Sequence, residues 1–161
     1  MINRVLQILL TVSCLWSGST MAADYAATPT RQVVFVCEHG TVKSLMATRY
    51  FNAMAEQKGI NVRAISRAVT PDPDPVPRKI ADNLKQEGFD VTDFRATVFQ
   101  EADLQSAVRV VTIGAKPKEM PGLKEKSEAW DDVPPASQDF RVAGNVLKRH
   151  IDALLAALAK P

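Results

Sequence analysis

Short apolar runs and amphipathic stretches alternate along this chain. Residues 33–36 (VVFV) are continuously apolar, which is typical of a strand buried on both faces. Residues 44–58 then place apolar side chains at helical spacing, and Gly59 ends that helix. The same alternation continues to the end of the chain. We predict further strands at 61–66, 108–113 and 128–130, a short extended piece at 89–91, and helices at 78–86, 101–107 and 139–160.

The closing segment, 139–160, carries the longest helical stripe. Its apolar positions are 140, 142/143, 146/147, 151, 154/155 and 158, and they predict a helix that packs one face on a sheet. Between the elements, residues 71–77 (PDPDPVP) hold four prolines, which exclude a helix or a central strand. Residues 114–127 are polar and predict a second long loop.

Strands that alternate with helices indicate an α/β fold. We expect a small three-layer sandwich, with a mainly parallel central sheet of about four strands flanked by helices. In such sheets a ligand binds outside the carboxyl ends of the strands, near a helix start. The domain is predicted to span residues 32–161, after a polar linker at 23–31.

Composition adds little to this fold prediction. The chain has 161 residues, of which 46% are hydrophobic and 24% charged, and these values suit one globular domain. A net charge of +2 leaves no basic footprint for nucleic acid.

The first 22 residues have the pattern of a secretory signal peptide. Arg4 precedes a short apolar run, and small residues around Ala22 suit a cleavage site. We therefore expect a periplasmic or secreted protein, which would contact a membrane only if the segment stays uncleaved as an anchor. A lipoprotein cut before Cys14 fits the flanking residues less well. Cleavage would leave Cys37 as the one cysteine, so no internal disulfide is expected.

The candidate chemistry lies in residues 37–44 (CEHGTVKS), between the first strand and the first helix. A helix start offers free backbone N–H groups and a positive dipole end, which bind anions and stabilise a thiolate. Gly40 suits a loop that needs a residue at positive φ, and Lys43 adds a cation. Ser44 can donate a hydrogen bond to the Cys37 thiolate. The loop is therefore able to hold a tetrahedral oxyanion and attack it; the alternative is a turn that contains an inert cysteine.

Other interpretations of this loop are weaker. A Walker loop needs Gly directly before Lys-Ser, where Val42 stands. A metal site of Cys37 and His39 lacks further ligands nearby, so we expect neither a metal nor a cofactor. His39 is read as a residue of the loop rim, with a general base as the alternative. We expect the Pro-Asp repeat at 71–77 to form a stiff loop. Calcium binding by Asp72 and Asp74 is the alternative.

Residues 32–158 resemble the low-molecular-weight protein tyrosine phosphatase superfamily, which includes the thioredoxin-coupled arsenate reductases. The resemblance rests on a strand ending in Val-Cys, five loop residues, and a basic residue followed by Ser that opens a helix. It implies a phosphatase in which Cys37 forms a phosphocysteine, Ser44 stabilises the thiolate and Lys43 clamps the oxyanion. The backbone of the loop would bind the substrate oxygens. The binding residues that it implies are Glu38, His39, Gly40, Thr41, Val42 and Lys43.

Two residues depart from the family pattern. Lys43 stands where the family has Arg, so a point charge replaces a bidentate guanidinium, and a lower rate or a different oxyanion preference is expected. The general-acid Asp of an Asp-Pro turn is missing from AWDDVPPASQDF. Asp132, or Asp131, would take its place if the loop is shifted; a solvated turn is the alternative.

Four functions remain open on the sequence alone, and one of them is a thiol-redox role for Cys37. The first is an exported phosphatase acting on a phosphorylated protein, including phosphotyrosine, or on a small phosphomonoester. The second is a catalytically impaired module that binds an oxyanion or a phosphoprotein. The third is an arsenate reductase that uses an external thiol, because Ala115 stands where the reductases carry a resolving cysteine.

Overall fold

The computed structural model describes residues 31–160, which form four strands and five helices. The predicted signal peptide and nearly all of the predicted linker lie outside the described residues. The first strand begins at Arg31, one residue before the predicted start of the domain. In chain order the elements are β1 (Arg31–Cys37), α1 (Lys43–Gln57), β2 (Val62–Ala68), α2 (Arg78–Gln86), α3 (Glu101–Ser106), β3 (Ala107–Thr112), α4 (Leu123–Lys126), β4 (Ser127–Ala129) and α5 (Phe140–Leu158).

The four strands form one sheet in the order β2-β1-β3-β4, and every pairing is parallel. Val34 pairs with Ile65 of β2 on one side and with Val110 of β3 on the other. All strands therefore end at the same edge of the sheet, and β1 ends near its centre. The predicted α/β fold with a parallel sheet of about four strands is confirmed.

Side chains of β1 point alternately to the two faces of the sheet, and each face has its own hydrophobic core. Val33 and Phe35 face a core shared with α1, α2 and α5, whereas Val34 and Val36 face a smaller core beneath α3 and α4. All four side chains are fully buried. This explains the continuous apolar run, because a strand covered by helices on both faces has no polar face.

Helices α1 and α5 cover the first face together. Phe35 contacts Phe51 of α1 edge-on at a ring distance of 5.6 Å and lies 5.4 Å from Trp130. Arg31 at the start of β1 donates a hydrogen bond to the Leu158 carbonyl at the end of α5, at 2.6 Å. Most of the predicted α5 stripe is buried, but Val142 is 46% exposed because it lies beside the core-facing Ala143 on the outer edge of the stripe.

Two local predictions differ from the structure. Residues 89–91 form no strand; Val91 is buried there as part of an irregular connection that contributes to the α1–α5 core. The polar segment 114–127 contains α4, a single turn whose Leu123 reaches the smaller core. Within residues 31–160 no helix combines the length and the apolar character that a membrane span requires.

Candidate active site

The carboxyl ends of the strands surround a cavity of about 370 Å³. Cys37 ends β1 and lies in its wall, and Gly114 lines the cavity just after β3. Asp72 and Pro77 come from the connection after β2, and residues 135–137 come from the connection after β4. Four segments that are distant in sequence therefore meet here because the strands are parallel.

The β1–α1 loop (residues 38–42) is tied to the chain after β2. The carbonyl groups of Cys37, Glu38 and His39 accept hydrogen bonds from the N–H groups of Val69, Thr70 and Asp72, at 3.0, 2.9 and 3.1 Å. These bonds fix the outer side of the loop. N–H groups of Gly40 and Ser44 point to the inner side, toward Cys37 Sγ. This arrangement resembles the backbone nests that bind anions in other proteins.

Three polar groups lie within hydrogen-bond distance of Cys37 Sγ. It accepts from Gly40 N–H at 3.3 Å and from Ser44 N–H at 3.5 Å, and Ser44 Oγ lies 3.1 Å away. Helix α1 begins at Lys43 without a side-chain cap, so the positive end of its dipole is directed at the loop. Cys37 is buried, with 6% exposed, yet it lines the cavity. A thiolate at this position is surrounded by donors and has a route to a ligand.

Ser66 extends this network and was missed by the sequence analysis. Its hydroxyl lies 2.9 Å from Ser44 Oγ and 3.3 Å from the Gly40 carbonyl oxygen, and Ser44 Oγ also reaches that carbonyl at 3.3 Å. Each hydroxyl has one hydrogen. When Ser66 donates to Ser44, the Ser44 hydroxyl is free to donate to a Cys37 thiolate. The sequence feature that could have identified Ser66 is the alternation along β2, which places it on the same buried face as Val62 and Ala64.

We predict that Ser66→Ala slows alkylation of Cys37 by iodoacetamide about threefold to tenfold at fixed pH, the range expected for one lost hydrogen bond. The physical reason is that Ser44 loses a donor and is no longer oriented toward the sulfur. Ser106→Ala serves as control, because that hydroxyl bonds to the Asp103 carbonyl away from the loop and should leave the rate unchanged. Equal rates in both variants would contradict the role of Ser66.

The residues predicted to surround the ligand all lie at the loop, but at different depths. Glu38, His39, Thr41, Val42 and Lys43 line the cavity. Glu38 and His39 are exposed, whereas Thr41 is buried, with 2% exposed. Gly40 and Ser44 lie behind the cavity wall and contribute through their N–H groups and the Ser44 hydroxyl.

Lys43 reaches across the cavity to the connection after β4. Its Nζ donates a hydrogen bond to the Val133 carbonyl at 2.9 Å. A Cβ on Gly114 would stand only 3.2 Å from the same nitrogen, so the small residue at this point leaves room for the amine. The ammonium is thereby held in the cavity wall by the segment that follows β4.

Asp132 and Asp131 do not line this cavity. Both carboxylate oxygens of Asp132 lie within hydrogen-bond distance of His150 Nε2, at 2.8 and 3.0 Å, and the His150 ring stacks on Trp130 at 4.8 Å. Asp131 lies with Lys116 in an adjoining hollow that shares Glu38 and Gly114 with the cavity. The sequence placed a candidate general acid on this segment; the structure instead brings its Pro135, Ala136 and Ser137 into the cavity. A catalytic role for Asp132 stays a prediction, without a contact to the cavity.

Residues 31–160 contain no group of three or more His, Cys, Asp and Glu side chains placed to hold a metal ion. The described residues at the cavity offer a thiol, an ammonium, an imidazole, hydroxyls, carboxylates and backbone N–H groups.

The site thus combines a cysteine whose sulfur accepts N–H groups, a strand–helix junction and a parallel α/β fold. The sequence model described as low molecular weight phosphotyrosine protein phosphatase matches residues 32–129. The chain belongs to this family, as the resemblance predicted. A comparison with curated protein sequences found no match to the chain.

Solved structures agree with this assignment. A low molecular weight protein tyrosine phosphatase from T. tengcongensis is 26% identical with a TM-score of 0.63, over 79% of this chain and 99% of the other. The YwlE arginine phosphatase from Geobacillus stearothermophilus is 20% identical with a TM-score of 0.64, over 80% of this chain and 92% of the other. A thioredoxin-dependent arsenate reductase from Corynebacterium glutamicum is 18% identical with a TM-score of 0.65, over 82% of this chain and 63% of the other. The last two structures, at 20% and 18% identity, show a similarity of fold alone.

Proposed function

We propose that this chain hydrolyses a phosphomonoester through a phosphocysteine formed on Cys37. The observation that carries the proposal is the set of donors around Cys37 Sγ: two backbone N–H groups and the Ser44 hydroxyl, at the wall of a cavity. These donors favour the thiolate, which is the nucleophilic form of cysteine. Membership of the family supports the same reaction.

In the proposed reaction the phosphoryl group lies inside the β1–α1 loop. Backbone N–H groups of the loop bind its equatorial oxygens, and the Lys43 ammonium offsets their charge. The sulfur then lies in line with the bond to the leaving group. Because Lys43 is also bonded to the Val133 carbonyl, it acts as a fixed point charge and not as a fork that grips two oxygens.

We propose an aryl phosphate, such as phosphotyrosine, as the substrate class. Beyond the loop, apolar residues line the cavity: Pro77, Ile113, Pro135 and Ala136. Such a surface suits the flat aromatic ring of an aryl phosphate. One relative with this fold is named as a protein tyrosine phosphatase, which supports the same choice. A phosphorylated protein or a small aryl phosphate would present the same group to the site.

Trapping the intermediate tests the proposal directly. The protein is mixed with p-nitrophenyl phosphate at mildly acidic pH, quenched in acid and digested, and the peptide that contains Cys37 is analysed by mass spectrometry. The expected result is a gain of one phosphoryl group on Cys37 together with release of p-nitrophenol. Absence of both across mildly acidic to neutral pH would overturn the proposed hydrolysis.

A second candidate is an oxyanion-binding module without turnover. Its support is the placement of Asp131 and Asp132 outside the cavity, and the bond that ties Lys43 to Val133. It predicts that calorimetry detects binding of phosphate or arsenate while no product forms. An arsenate reductase is less well supported, because Cys37 is the one free cysteine among the described residues and an external thiol would have to resolve the adduct.

We also propose export of the protein, on the basis of the signal-peptide pattern in residues 1–22. N-terminal sequencing of the protein recovered outside the cytoplasm is expected to begin near Ala23. Recovery only from the cytoplasm, with Met1 intact, would contradict export.

A further inference from the structure

A phosphocysteine mechanism needs an acid that protonates the leaving oxygen, and this inference rests on the proposed function. The carboxylates of the segment after β4 do not line the cavity: Asp132 pairs with His150, and Asp131 lies in the adjoining hollow beyond Glu38 and Gly114. Among the described residues that line the cavity, two carry carboxylates: Glu38 and Asp72. Asp72 belongs to the Pro-Asp repeat, to which the sequence analysis gave no part in catalysis.

Asp72 is held firmly at the cavity. Its N–H donates to the His39 carbonyl at 3.1 Å, which joins its backbone directly to the β1–α1 loop. Its Oδ1 accepts the N–H of Asp74 at 3.0 Å. Pro71 and Pro73 on either side restrict the backbone further. The side chain is half-buried and lines the same cavity as Cys37.

We infer that Asp72 is the general acid of the reaction. In the first step the Cys37 thiolate attacks phosphorus, and the bond from phosphorus to the leaving oxygen breaks with its electron pair on that oxygen. Protonated Asp72 gives its proton to the same oxygen and becomes a carboxylate. In the second step water attacks the phosphocysteine, Asp72 takes a proton from that water, and the phosphorus–sulfur bond breaks to release phosphate and the thiolate.

The location of the two carboxylates favours Asp72 over Glu38. The leaving oxygen lies on the far side of phosphorus from the sulfur, because the displacement is in line. It is thus directed away from the loop and toward the walls that the other segments supply. Asp72 comes from one of these segments. Glu38 directly follows Cys37 in the loop, and its exposed side chain also borders the hollow that contains Asp131.

The test compares Asp72→Asn with the wild-type protein on two substrates. Phenyl phosphate has a poor leaving group that needs protonation, whereas p-nitrophenyl phosphate has a good one. We expect kcat/KM for phenyl phosphate to fall about 100-fold or more, the usual contribution of a general acid, and that for p-nitrophenyl phosphate to fall much less.

Asp74→Asn is the matched control. Asp74 lies on the same loop, is exposed, does not line the cavity, and offers its backbone N–H to Asp72. It should behave as wild type on both substrates. The Asn at position 72 still presents a side-chain oxygen to the Asp74 N–H, so the loop should keep its fold.

Three results would overturn the assignment to Asp72. They are wild-type kinetics in Asp72→Asn, equal losses on both substrates, or the selective loss on phenyl phosphate appearing in Glu38→Gln or Asp132→Asn instead. Phosphocysteine trapping separates this failure from that of the proposed function. Wild-type protein that forms phosphocysteine while Asp72→Asn retains full activity overturns Asp72 alone. Wild-type protein that forms neither phosphocysteine nor p-nitrophenol overturns both.

Discussion

Cys37→Ser is expected to lower hydrolysis of p-nitrophenyl phosphate by roughly 10⁴-fold or more, the scale seen when a covalent catalyst loses its nucleophile. Serine fits the space of the sulfur and can accept the same hydrogen bonds from Gly40 N–H and Ser44 N–H. A hydroxyl, however, is far less acidic than a thiol and is not ionised by these donors alone. The measurement is kcat for both proteins, combined with phosphoryl trapping.

Two controls separate loss of the nucleophile from loss of the fold. Cys37→Ser should still bind inorganic phosphate in calorimetry, because the N–H groups of the loop remain. Ser106→Ala, which removes an exposed hydroxyl away from the loop, should retain wild-type kcat. Substantial turnover by Cys37→Ser would show that another group attacks phosphorus, and the covalent mechanism would be wrong.

The elements that surround the site follow closely from the sequence. Val33–Val36 is apolar without interruption because β1 is covered on both faces, and the four prolines of 71–77 form an irregular connection as predicted. Helix α2 has the predicted bounds of 78–86. Patterns of this kind are local, so one sequence is enough to read them.

The groups that complete the site were harder to predict, for two different reasons. Ser66 had a readable signal, since β2 alternates and its buried face carries one polar side chain beside Ala64 and Ala68. Asp72 had none. A proline-rich connection has no period that assigns its side chains to a face, and its place at the cavity is decided by its bond to His39, which is distant in sequence. The direction of Asp132 toward His150 likewise depends on the position of α5, whose His150 ring stacks on Trp130.

Gly40 is required at its position for two reasons, and the sequence indicated only the first. The sequence assigned glycine to this position for its backbone freedom, and the φ of +79° bears out that reason. The structure adds a steric reason. A Cβ at this position would lie 2.9 Å from the Cβ atoms of both Ala68 and Ala96, which are short side chains that cannot swing away. Position 40 therefore requires glycine for both its backbone conformation and its size.

Gly40→Ala is therefore expected to damage both stability and activity. The positive φ costs about 1–2 kcal/mol and the crowding about 1–3 kcal/mol more, so unfolding should become easier by about 2–5 kcal/mol. The same residue supplies an N–H to Cys37 Sγ and a carbonyl near the hydroxyls of Ser44 and Ser66. Displacing it by a fraction of an ångström should misplace the nucleophile and lower kcat/KM about 100-fold. Denaturant unfolding and steady-state kinetics measure the two effects.

Gly122→Ala isolates the steric part of this prediction. Gly122 has a φ of +81°, nearly that of Gly40, but a Cβ there would meet no atom within 4 Å. Gly122→Ala should therefore be destabilised only by the strain of the positive φ. It should keep wild-type kcat/KM, because Gly122 lies outside the cavity lining. Equal destabilisation in both variants would mean that the loop yields to the new methyl group. The close packing of Gly40 against Ala68 and Ala96 would then not be what holds the anion-binding loop in shape.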